Sequence, residues 1–248
     1  MENQETFLSH LIELRDRLVR CLIAIFLAFV PAMVYGPELY DLLAAPVIAS
    51  LPEGSKMIAT GVITPFLIPV KIALMAALLG VLPYVLYQVW AFVAPGLYLH
   101  EKRLVLPLIV SSTVLFFVGM AFCYFLVFGA VFQFIHDMAP KSISVAPDIE
   151  AYFNFVLGMF LAFGIAFEIP VVVVVLAITG LVKVEQLREW RGYVIVGIFV
   201  VAAVVTPPDV VSQLALAIPM CLLYELGILV AQVVARKKVP AVAGTSNE

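Results

Sequence analysis

Charge is what this chain has least of. Lysine, arginine, aspartate and glutamate make up 12% of its 248 residues, too little polar surface to cover a water-soluble globule of that size. The 14 basic and 17 acidic residues leave a net charge of −3, so there is no bulk positive field, and aromatics interleaved with lysine and arginine are absent. Nucleic acid is excluded as a partner on both counts. Cysteine is limited to Cys21, Cys123 and Cys221, each inside an apolar run and at no metal-ligand spacing, which excludes a disulfide framework or a zinc site. His10, His100 and His136 lie far apart in the sequence. There is no His-Glu-x-x-His, no Gly-x-Ser-x-Gly, no glycine-rich phosphate loop and no pair of aspartates in facing spans, so no enzyme and no cofactor are expected.

What remains is apolar. Hydrophobic residues reach 64% and the mean hydropathy is +1.14, values of a chain that crosses a membrane several times. Apolar runs of spanning length lie at about 18–35, 67–90, 104–133 and 153–179, each near the roughly 20 residues that cross about 30 Å of hydrocarbon. Two shorter or interrupted runs follow, 193–206 and 210–235, the last broken by Gln213, Pro219 and Glu225. Backbone in hydrocarbon must pair within its own segment, so all six are predicted to be helices. The expected fold is all-α, one six-span membrane domain over 1–236 with an N-terminal amphipathic helix at 6–18 and a short tail at 237–248. No small-x-small cleavage site follows Val34-Tyr35, so the first run is expected to be retained. Pro31, Pro69, Pro83, Pro107, Pro170 and Pro219 each remove a backbone donor and are expected to kink the spans into a curved, concave bundle.

Basic residues orient the spans. With six crossings, eleven lysines and arginines fall on one side, among them Arg15, Arg17, Arg20, Lys102, Arg103 and Arg191. Only Lys56, Lys71 and Lys141 fall on the other, which places both termini in the cytoplasm.

The polar residues that stand out sit in few places. Ser9-His-Leu-Ile-Glu-Leu-Arg-Asp-Arg-Leu18 carries Leu11, Leu14 and Leu18 on one helical stripe and charges on the other face, with Glu13–Arg17 and Asp16–Arg20 at the supportive i, i+4 spacing. Glu13 reads either as part of a solvated, salt-bridged helix or as a carboxylate that catches a cation from outside. Glu101, in His100-Glu-Lys-Arg103, reads alone as a solvated loop charge, with Phe92 and Trp90 as interfacial aromatics. Glu168 and Glu225 lie inside apolar spans, where an ionisable group costs several kcal/mol unless paired, hydrated or protonated. Each is either structural or functional by these residues alone. Thr206-Pro-Pro-Asp209 forms an outer turn with Asp209 as a candidate N-cap, and Gln213 is placed to bond another helix of this chain or of a partner. Asp148 is a candidate cap for the span that follows it, and Glu38–Ala45 a short interfacial helix ended by Pro46.

Four of these motifs together, Ser9–Leu18, Tyr87-Gln-Val-Trp-Ala-Phe-Val-Ala-Pro-Gly-Leu-Tyr98 with His100-Glu-Lys-Arg103, Phe167-Glu-Ile-Pro170, and Thr206-Pro-Pro-Asp-Val-Val-Ser-Gln213, resemble TatC, the signal-receptor subunit of the twin-arginine protein translocase. The likeness runs from about Thr6 to Arg236. It implies a multi-pass protein of the bacterial cytoplasmic membrane that binds twin-arginine signal peptides of folded cargo and assembles, in a multimeric complex, with single-span TatA-type and TatB-type subunits for export driven by the proton-motive force. It implies that Glu13 and Glu101 contact the arginines, within a signal-binding set that includes Arg17, Phe92, Lys102 and Arg103. Glu168 matches an intramembrane acidic position, and Thr206, Asp209 and Gln213 match the partner-docking region. The alternative reading, a proton-coupled small-solute carrier, would be centred on Glu168.

Overall fold

The structure, a computed structural model, describes residues 2–50, 57–93, 102–138, 147–206 and 210–238. Among these residues regular structure is helical, apart from one isolated parallel bridge between Ile58 and Asp148. In chain order the helices are α1 (Glu2–Val34), α2 (Gly36–Ser50), α3 (Thr64–Gly80), α4 (Leu82–Val93), α5 (Lys102–Phe122), α6 (Phe128–Met138), α7 (Ile149–Ala166), α8 (Ile169–Ile178), α9 (Val184–Glu189), α10 (Arg191–Val205) and α11 (Val210–Lys238). Four stretches are long and apolar enough to cross a membrane: Ser9–Val34, Leu106–Phe134, Ile149–Ile178 and Val210–Val234. A fifth is the pair α3 and α4, bent by 62°. The sixth expected span, within α10, is an apolar helix below that length.

The breaks follow from proline. Pro83 and Pro170 each stand at the second position of a helix, where a missing N–H costs nothing, and each helix starts just after its predecessor stops. At the first break, Val81 N–H still reaches Ala77 O at 3.1 Å. At the second, Phe167 N–H bonds Phe163 O while Glu168 N–H tightens onto Ile165 O, so Ile149–Ile178 is interrupted yet remains one span. Between α5 and α6 the helix widens over Cys123–Val127, where Phe128 N–H donates to Cys123 O five residues back.

Three local expectations are corrected. The N-terminal helix and the first span form one helix, because Ser9 to Val30 holds neither Gly nor Pro and the polar face simply gives way to apolar residues. Pro46 does not end α2, which runs on to Ser50; proline lacks one donor but need not stop a helix whose neighbours stay paired. Asp16 pairs with the adjacent Arg15, whose Nε and one terminal nitrogen lie 3.0 and 2.8 Å from its carboxylate, instead of with Arg20. The long arginine stem reaches back across the one-residue offset.

The chain divides into two compact units, Met1–Thr113 with Phe132–Gly158, and Val114–Val131 with Met159–Glu248. In the first, α1 packs on α3 and α4, and α2 on α3. Ile68, Ile72 and Met75 form the buried stripe of α3 at i, i+4, i+7. Trp90 of α4 is buried and donates from its ring nitrogen to Ser112 Oγ at 2.9 Å, satisfying both groups. In the second unit α8 and α11 cross closely at Gly227. A Cβ there would sit 2.9 Å from Pro170 Cα and 3.1 Å from Val173 Cβ, so only glycine permits the approach. Val173, Leu187, Tyr224, Ile228 and Ala231 make the buried cluster around that crossing.

Candidate functional site

The polar face of α1 carries an exposed charged arrangement in the first unit. The i, i+4 spacing brings Arg17 back onto Glu13, whose Oε1 accepts from Arg17 Nε at 2.9 Å and from a terminal nitrogen at 2.7 Å. The remaining terminal nitrogen of Arg17 donates to Gln88 Oε1 on α4 at 3.0 Å, and Gln88 Nε2 donates to the Tyr84 hydroxyl at 2.9 Å. One turn before Glu13, the His10 ring stacks on Phe92 at 4.3 Å and 16°, with Nδ1 3.9 Å from Glu13 Oε2. Ser9, Ile12, Glu13, Asp16, Arg17 and Arg20 line a shallow depression of about 350 Å³ along this face. The Glu13 side chain is 43% exposed, and the contacts from Arg17 both fall on Oε1. Chemically, the carboxylate holds one guanidinium, that of Arg17, in charge-assisted hydrogen bonds.

The i, i+4 spacing pairs Glu13 with Arg17 and only the family resemblance adds Phe92; the structure puts all three in one cluster. Gln88 and His10 were missed as members. Gln88 had a signal: a lone amide in the apolar run Leu82–Val93, four residues after Tyr84. Glu101 lies outside the described residues. Lys102 and Arg103 begin α5, with side chains outside the described set.

A second polar group of the same unit joins the start of α3 to the start of α7. The Thr60 hydroxyl and N–H donate to Asp148 Oδ2 at 2.7 and 3.1 Å, and Ala151 N–H donates to Asp148 Oδ1 at 2.9 Å, which makes Asp148 the N-cap of α7. The Thr60 hydroxyl first, then the Ala151 N–H, holds the Asp148 carboxyl below the ordinary carboxylate range. Thr64 Oγ1 donates to Glu150 at 3.0 Å, and Lys71 Nζ donates to Asn154 at 2.9 Å while lying 3.5 Å from Glu150.

In the second unit Glu168 is 9% exposed and precedes α8, at the break ahead of Pro170. Glu225 on α11 accepts from Arg191 at the start of α10 at 2.7 Å, a partner its sequence position did not reveal. Thr206 is buried and its hydroxyl bonds Ala202 O at 2.8 Å, with its backbone extended as the chain leaves α10. Gln213 Nε2 donates to Phe199 O at 3.3 Å, linking α11 to α10 within the chain. Asp209 lies outside the described residues. Among the described residues no three of His, Cys, Asp and Glu are grouped as metal ligands would be.

The sequence profile of the family described as Sec-independent protein translocase protein (TatC) matches residues 9–219. The protein of that name from Haemophilus influenzae is 47% identical over 232 residues, covering 94% of this chain and 91% of the relative. That from Escherichia coli K12 is 49% identical over 228 residues, covering 92% and 88%. A crystal structure of the twin-arginine translocase receptor TatC superposes with a TM-score of 0.79 at 38% identity, over 90% of this chain and 98% of that one.

Proposed function

The chain belongs to the TatC family of Sec-independent protein translocase proteins, multi-pass membrane receptors rather than enzymes, and from that premise we propose that it is the signal-reading core of a twin-arginine translocase. It binds twin-arginine signal peptides of folded proteins at a cytoplasmic face that carries Glu13 and Glu101, with both termini on that side of a bacterial inner membrane and six spans between them. Arg17, Phe92, Lys102 and Arg103 complete the binding surface. Thr206, Asp209 and Gln213 form the docking region for TatA-type and TatB-type single-span subunits, and Glu168 and Glu225 are the polar groups at membrane depth. Export is driven by the proton-motive force.

The observation that carries this reading is the Arg17 fork on Glu13. A half-exposed carboxylate that already holds a guanidinium at 2.7 and 2.9 Å has the reach and orientation to hold another on its open oxygen. A lysine ammonium cannot reproduce that planar fork. The test is binding of labelled twin-arginine and twin-lysine signal peptides to the protein in nanodiscs, with Glu13→Ala and Glu101→Ala alongside. The arginine peptide is expected to bind better, with each substitution removing most of the preference, roughly 1 to 3 kcal/mol. Equal binding of both peptides, untouched by either substitution, moves the assignment to solute transport through the buried Glu168.

A further inference from the structure

Behind Glu13 lies a buried amide with both ends committed. Gln88 is 4% exposed on α4, its Nε2 donating to the Tyr84 hydroxyl and its Oε1 accepting from Arg17. A buried amide is costly unless hydrogen-bonded, so the Tyr84–Gln88 link fixes where Oε1 points, and Oε1 in turn retains one terminal nitrogen of Arg17. The consequence falls on Glu13. With that nitrogen held, Arg17 offers Glu13 only its Nε and its other terminal nitrogen, and both converge on Oε1. Oε2 accepts neither of them, and His10 Nδ1 lies 3.9 Å from it, beyond hydrogen-bond distance, so it keeps open lone pairs. A guanidinium without the Gln88 restraint is free to lay two parallel N–H bonds across both carboxylate oxygens.

We propose that Gln88 is a positioning residue for signal recognition, confining Arg17 to one oxygen of Glu13 so that the other stays available to an incoming guanidinium. This rests on the receptor reading above. The role differs from that of Glu13, since Gln88 is buried and acts through Arg17. It also gives Arg17 a defined part: it half-neutralises Glu13 without occupying it.

The experiment measures twin-arginine and twin-lysine peptide binding to the full chain in nanodiscs for the unsubstituted protein, Gln88→Leu, Gln88→Glu, Tyr84→Phe, Arg17→Leu and the double substitution Gln88→Leu with Arg17→Leu. Gln88→Leu removes the acceptor at similar volume and is expected to weaken arginine-peptide affinity roughly five- to tenfold, about the worth of one ordinary hydrogen bond, since it acts on Glu13 only through Arg17. Gln88→Glu keeps an acceptor for Arg17 and retains most of the affinity. Tyr84→Phe, on a side chain 40% exposed, removes only the hydroxyl that anchors Gln88 and moves affinity the same way by less, so a folding defect in Gln88→Leu does not decide the matter. With Arg17 already replaced by Leu, Gln88→Leu has no further effect, because no guanidinium remains to restrain. Equal losses with and without Arg17, an unchanged affinity in Gln88→Leu, or a loss that Gln88→Glu does not rescue overturns the positioning role. An unsubstituted protein that does not prefer arginine to lysine overturns the receptor reading, and this inference with it.

Discussion

Two arginine–glutamate pairs in this molecule have the same closest distance and different work. Arg17–Glu13 and Arg191–Glu225 each close to 2.7 Å, and both glutamates are 43% exposed. The first pair lies within one helix at i, i+4, so its partners are neighbours whether or not the rest of the chain is folded. The second joins the start of α10 to α11 across 34 residues, so it exists only in the folded unit. In the proposed reading the local pair is the site, and breaking it is expected to leave the fold as it was and free a carboxylate. The distant pair is a latch beside the α8–α11 crossing, where packing carries the stability. Exposure of a charge thus says little about its role; what its partner is tied to says more.

Substitutions can pull this contrast apart. The largest expected effect is at Gly227, where Leu drives Cβ into Pro170 and Val173 and should destabilise the second unit by about 1 to 3 kcal/mol or more, read as a lowered melting temperature in detergent. A variant as stable as the original would mean that packing at this crossing is not what holds the unit. Next, Glu13→Ala should lose roughly 1 to 3 kcal/mol of twin-arginine peptide affinity while leaving the melting temperature within error, because an exposed i, i+4 pair contributes only about 0.5 kcal/mol to the helix. Glu225→Ala should show the reverse, a stability loss of about 1 kcal/mol or less with peptide affinity unchanged, recovered in part by swapping the charges at 191 and 225. A swapped pair that recovers nothing would show that the latch is not electrostatic.

The smallest effect belongs to pH. Because the folded state holds the Asp148 carboxyl below its ordinary value, its contribution is complete above about pH 4 and is lost as pH falls through the lower folded value. The stability difference between the parent and Asp148→Asn should therefore be constant between pH 5 and 8 and narrow only in acid. A difference that grew between pH 6 and 8 would place the titration elsewhere.

Much of the scaffold was legible because its causes are local. Run length gave the apolar helices, and Asp148 ahead of an apolar run announced an N-cap; of the six prolines expected to bend the spans, Pro83 and Pro170 stand at the two breaks while Pro31, Pro69, Pro107 and Pro219 lie within helices. The i, i+4 spacing gave Glu13–Arg17. Where local rules compete, the reading slipped: Pro46 was tolerated in α2, and Asp16 took Arg15 over Arg20. What could not be read were partners fixed only by folding. Gln88 meets Arg17 from 71 residues away, Lys71 meets Asn154 from 83, and Arg191 meets Glu225 from 34. No spacing within a helix encodes such contacts. Glu13 stands out in the sequence itself and Phe92 as an interfacial aromatic, while the family likeness gives both a site role; their clustering with His10 and Gln88 is a fact of three dimensions.

The central claim, that Glu13 reads arginine, is tested most directly by comparing twin-arginine and twin-lysine signal peptides on the protein and on Glu13→Gln in nanodiscs. Gln keeps the size and an acceptor and removes the charge. The account predicts a clear arginine preference in the parent, at least roughly fivefold, that collapses toward equality in Glu13→Gln. A preference of the same size in both proteins would contradict it and place the reading of arginine on other residues.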